Sequence, residues 1–117
     1  MANNFEHDGK IMSYVAPAGG VVSGTAYLIG NILVVALVTA AAGATFAGAA
    51  VGVYTLPKAT GTAWTEGEIL YWDNTAKNVT TVSTSNYRIG CAAEGGAASA
   101  DATGPVRLSG TAEPAGA

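Results

Sequence analysis

Along this chain hydrophobic and polar positions alternate in short runs closed by Gly, Pro, Asn or Asp, the signature of strands rather than of helices. Ile11, Met12, Ser13, Tyr14 and Val15 form a β-prone run that stops at Pro17 and the pair Gly19-Gly20. Residues 21–29 resume the pattern, with Gly24 placed where a bulge or bend would fall. Gly30-Asn31 then offers the positive φ angles of a tight hairpin. Residues 32–38 return from that turn and are apolar throughout, which predicts a strand buried on both faces.

After a small-residue corner at 40–43, residues 45–56 predict one long strand ending at Pro57. It would set Val51, Val53 and Thr55 on one side and Gly52, Tyr54 and Leu56 on the other. Trp64, Thr65, Glu66 and Gly67 make a turn that feeds a strand at 68–72; Asp73, Asn74 and Thr75 close it, and residues 78–82 pair back. Residues 87–93 and 105–108 are the last two strands, separated by a Gly/Ala/Ser-rich loop at 94–104. The helical rival is 34–50, where alanines favour a helix but glycines and β-branched residues oppose it. The expected fold is all-β: a compact small β-barrel or sandwich with short hairpins. Its parts are an N-terminal arm at 1–10, a single β domain at 11–108 and a flexible tail at 109–117.

Charge changes this picture most. Charged residues are 11% of the 117 residues, against about 25% in ordinary domains. Between Lys10 and Lys58 there is none. A face so poor in charge is expected to be covered by other protein, either copies of the same chain or a larger assembly. The net charge of -3 and the scattering of Lys10, Lys58, Lys77, Arg88 and Arg107 argue against a nucleic-acid partner, which needs clustered cations. Residues 32–54 are long enough to span a bilayer, but they are rich in Ala, Gly and Thr and lack a basic flank, so no membrane partner is expected. Cys91 is the only cysteine, which excludes an internal disulfide. The opening residues lack the basic-then-apolar order of a secretory signal, and synthesis in the cytoplasm is the expectation.

The residues that carry chemistry are few. His7 is the only histidine, so one chain cannot assemble a Ser-His-Asp triad or a histidine-rich zinc site. Cys91 lies in a strand-like stretch and reads as an inert thiol; Glu66, Glu68 and Asp73 read as solvated turn carboxylates. Gly19-Gly20 and Gly95-Gly96 are not followed by the Gly-Lys-Ser/Thr step of a phosphate-binding loop. No catalytic residue, cofactor or metal is therefore expected, and the chain reads as non-enzymatic. Trp64, Tyr71 and Trp72 would be the stacking platform if this were a receptor- or glycan-binding surface module, the alternative function. In a domain with so few large residues they read first as core or subunit anchors.

Three stretches in order carry a family resemblance: Ala16-Pro17-Ala18-Gly19-Gly20-Val21-Val22-Ser23-Gly24, then Leu56-Pro57-Lys58-Ala59 with Gly61 and Trp64, then Glu68-Ile69-Leu70-Tyr71-Trp72-Asp73. With Ile89-Gly90 and Val106-Arg107-Leu108 they cover most of residues 5–108. The chain resembles the small tailed-phage head proteins called capsid cement or decoration proteins, long filed as a domain of unknown function and sometimes labelled as recombinases. The resemblance implies a β-rich, non-catalytic virion protein, made in the bacterial cytoplasm and attached to the outer surface of an icosahedral capsid. It implies the major capsid protein as partner, and self-association as a homotrimer at three-fold positions, with a dimer as the alternative. The expected role is to stabilise the head by bridging neighbouring capsid subunits. Within it, Asn3, Phe5 and His7 are candidates for an arm that contacts the capsid, Phe5 filling a pocket while the backbone adds a strand to a capsid sheet edge. Tyr14, Tyr27, Phe46, Tyr54 and Trp64 are the candidate subunit contacts.

Overall fold

A computed structural model of the chain describes residues 11–110, 112, 115 and 116. Nine strands and no helix are found among them: β1 (Ile11–Val15), β2 (Ala26–Ile29), β3 (Ile32–Ala36), β4 (Thr45–Ala49), β5 (Val51–Pro57), β6 (Ile69–Asp73), β7 (Asn78–Thr80), β8 (Tyr87–Ala92) and β9 (Thr103–Ser109). They make two antiparallel sheets, one in the order β1-β4-β3-β2 and the other in the order β5-β9-β8-β6-β7. The second sheet curls into a half-barrel whose edges approach one another just past β5. There Lys58 forms a parallel bridge with Val79, and the Ala59 N–H donates to the Val79 carbonyl at 2.9 Å. The all-β expectation is what forms, with a four-stranded sheet set against a half-barrel.

The punctuation in the sequence explains most of the turns. Ile29 pairs with Ile32 across Gly30-Asn31. Only Gly30 takes a positive φ there, 63°, as in a hairpin turn that needs glycine at its first central position. Gly24, at φ 86°, opens a bulge: its N–H donates to the Ala36 carbonyl while the Ala36 N–H donates to Thr25, so two residues of one strand face one of the other. The strand expected from residue 21 therefore begins at Ala26, and Val21 is held separately by its bridge to Ala40.

The long strand expected over 45–56 is two strands. β4 belongs to the four-stranded sheet and β5 to the half-barrel, and Ala50, 3% exposed, is where the chain changes sheets. The helical rival over 34–50 contains strands and turns instead. Past β9, which Ser109 closes, Gly116 is hydrogen-bonded to the β7–β8 connection through Ser85 and Asn86.

Because successive side chains of a strand point to opposite faces, β3 feeds two cores. Leu33 and Val35 join the larger core inside the half-barrel, built on Trp64, Leu70, Trp72, Ile89, Val106 and Leu108. Val34 and Ala36 join a smaller core with Ala16, Val21, Phe46 and Ala50 on the other face. The doubly buried strand expected over 32–38 is shorter: Leu33, Val34, Val35 and Ala36 are buried, but the strand ends at Ala36, and Leu37 and Val38 are exposed because neither core extends that far.

Candidate contact surfaces

The four-stranded sheet has two open edges, and they differ. At β1, Ile11 pairs with Ala49 and Val15 with Thr45, while Ala49 pairs with Val35. Ile11, Ser13 and Val15 thus share the face of Val35, but they lie beyond the cover of the half-barrel. Ile11 is 55% exposed and Val15 59%. Leu37, whose N–H donates to Ala47, and Val38 continue this exposed apolar surface at the end of β3. Val22 stands beside them on a segment fastened by Ser23, whose hydroxyl donates to the Leu37 carbonyl and whose N–H donates to Thr39 Oγ1. No charged side chain occurs between Lys10 and Lys58, so nothing ionic keeps this region in water. Sequence reasoning located the charge-free half but missed these residues. Their signal was strand alternation in a run whose outward positions are Ile and Val.

At the opposite edge, β2 borders a cleft of about 460 Å³. Its walls are Pro17, Ala18 and Gly20 on one side and Pro57, Trp72, Asn74 and Lys77 on the other, with residues 24–28 between them. The Trp72 indole N–H and the Lys77 ammonium both donate to Asn74 Oδ1, at 3.0 and 2.9 Å, which fixes the second wall.

The candidate subunit contacts fall into two groups. Phe46 and Trp64 are 3% and 4% exposed and fill the smaller and larger core of their own subunit. Trp64 lies so close to Gly104 that a Cβ there would meet the ring at 2.5 Å. Tyr14, Tyr27 and Tyr54 are half-buried. Tyr14 packs on Phe46 with ring centroids 5.9 Å apart. The Tyr27 hydroxyl accepts from the Val22 N–H at 2.9 Å, and Tyr54 leans on the larger core. The arm residues Asn3, Phe5 and His7 lie outside the described residues.

The glycan platform does not assemble. Trp64 and Trp72 are enclosed in the half-barrel core, so no sugar ring can stack on either, and only Tyr71 retains partial exposure. Asn78, in the acceptor pattern Asn78-Val79-Thr80, has its side-chain oxygen buried without a partner among the described residues. No group of His, Cys, Asp and Glu that could hold a metal occurs among the described residues. Among them, no helix is long and apolar enough to cross a membrane.

Among the described residues, Lys58 is the one buried cation. It is 3% exposed, and its ammonium donates to the carbonyls of Ala59, Ser99 and Asp101 at 3.1, 3.3 and 3.4 Å, 5.8 Å above the Trp64 ring. It fastens the 94–102 loop to the end of β5 and leaves no donor directed at a ligand.

Such a molecule offers apolar surface and open strand edges, the equipment of a protein that acts by contact. No curated protein and no solved structure matches the chain. A family model does, that of the phage cement protein, over residues 7–108. That span takes in all of β1 to β8 and nearly all of β9, with both open edges of the four-stranded sheet, and the chain belongs to the phage cement protein family.

Proposed function

We propose that this protein stabilises an icosahedral phage head from its outer surface, binding as a homo-oligomer that bridges neighbouring subunits of the major capsid protein. Membership of the cement family gives the structural role in the capsid. The observation that carries the bridging is the exposed apolar strip Ile11, Val15, Leu37 and Val38 in a charge-free half of the chain. Burying such a strip releases about 25 cal/mol for each Å² of apolar surface removed from water. A head filled with DNA is pushed apart at its subunit junctions, and each bridge adds binding free energy that separation must overcome. Many equivalent copies multiply a modest contact. A cryo-EM map of the virion tests this: density of this size is expected on the outside of the shell, across subunit junctions. A shell without such density, or density confined within single capsid subunits, would remove the bridging role.

A further inference from the structure

The free side of β2 opens into a walled cleft, and its backbone is prepared for another strand. In an antiparallel pair, alternate residues bond to the partner and the others point away. Since Ile29 and Ile32 flank a two-residue turn, Ile29 and Tyr27 bond to β3, while Ala26 and Leu28 turn their N–H and C=O groups outward. Both line the cleft, and these groups find no partner among the described residues. Open edges of this kind are recognised by extended peptides, which take main-chain hydrogen bonds from the strand and seat alternate side chains in the flanking walls.

We propose that the cleft receives the segment 1–10 of a second copy of this chain, added to β2 as an extra strand. The inference rests on the self-association proposed above and names its means. Among the described residues that line the cleft, Lys77 is the only charged one, and the incoming segment carries Glu6 and Asp8. In an extended strand Glu6 and Asp8 fall on one side and Phe5 and His7 on the other. The register that turns the carboxylates toward Lys77 turns Phe5 toward Pro17 and Ala18 on the opposite wall.

Length and direction favour a neighbouring subunit. Ten residues extend about 33 Å. They enter at Ile11, on the far edge of the sheet, in the cross-strand row Ile11, Ala49, Val35, Ala26. Within one subunit a strand added beyond β2 lies four strand spacings, about 19 Å, from the β1 edge at Ile11, whereas Asp8 is only three residues, about 10 Å of chain, before Ile11. Donor edge and acceptor edge are different surfaces, so the contact is head-to-tail and is satisfied throughout only when the copies close into a ring.

The test uses the full chain with Cys91→Ser as background. Phe5→Cys with Ala18→Cys, oxidised in solution, is expected to join different chains into a ladder that ends at the ring size. Removing residues 1–10 is expected to raise the self-association midpoint at least tenfold with an unchanged circular dichroism spectrum. Lys77→Glu is expected to act in the same direction, and Glu6→Lys with Asp8→Lys to restore association. A disulfide within a single chain would overturn the proposal. So would an oligomer indifferent to removal of the segment, which leaves self-association standing. A cross-link that forms only on heads, to the capsid protein, would overturn it too and assign the segment to the capsid. A full chain that stays monomeric at every concentration would overturn the self-association itself.

Discussion

The hydroxyl of Tyr14 is enclosed in the smaller core with no hydrogen-bond partner among the described residues, and burial raises its pKa above the ordinary 10.0. An unsatisfied buried hydroxyl is a net cost to folding. Tyr14→Phe is therefore expected to leave urea stability at neutral pH unchanged or raise it by about 1 kcal/mol. The raised pKa has a signed consequence. Below pH 10 the phenol is neutral in both states, and stability is complete; as pH climbs from 10 toward the folded value, only the unfolded chain ionises, and stability is lost. Unfolding curves across that window should show the loss in the native chain and its reduction in Tyr14→Phe. Lys58 presents the opposite case, a buried cation fully occupied by three carbonyls and an aromatic ring. Lys58→Met keeps the stem and removes the donors, and should lower urea stability by about 2–3 kcal/mol. Neither role was legible in the sequence, because spacing along a chain does not show which distant carbonyls a side chain will meet. Phe46 and Trp64 teach the same lesson: their size marked them as anchors, but whether an anchor faces the subunit's own core or a partner is decided by packing.

At the scale of elements, strands announced by their turns were legible and the change of sheet was not. Gly30-Asn31 and Asp73-Asn74-Thr75 mark the β2–β3 and β6–β7 hairpins because their residues supply backbone conformations and local hydrogen bonds that those turns need. Asp73 Oδ1, for instance, accepts from the N–H groups of Thr75 and Ala76. Ala49, Ala50 and Val51 carry no such mark; the chain passes from one sheet to the other at Ala50, which is buried in the smaller core. β9 begins at Thr103, two residues before the expected start. Proline marks a strand boundary in sequence, yet here β9 runs through Pro105 against β5, and the Pro105 carbonyl accepts from the Ala93 N–H. The edge strand β1 provides the prediction at this scale. Ile11→Lys together with Val15→Lys places charges at positions 55% and 59% exposed, so stability should change by no more than about 1 kcal/mol for the pair. Occupancy on purified heads should fall at least tenfold. Full occupancy by this double variant would free β1 from any part in the contact.

For the whole molecule, the sequence revealed a division of labour but not its faces. All charged residues of the described β domain fall at or after Lys58, in or around the half-barrel, while the four-stranded sheet carries none. The half-barrel holds the larger core and can sustain its own solvation; the sheet presents apolar surface and two open edges. A protein with this asymmetry gains by being covered. Apolar contacts also keep their strength in salt, unlike phosphate contacts, which weaken steeply. The most direct measurement adds the purified protein to heads that lack it and follows both binding and the temperature at which the heads rupture. Saturable binding, nearly independent of salt, with rupture shifted to higher temperature as the sites fill, is the expected result. Heads that bind none of it, or bind it and rupture at the same temperature, would contradict the account.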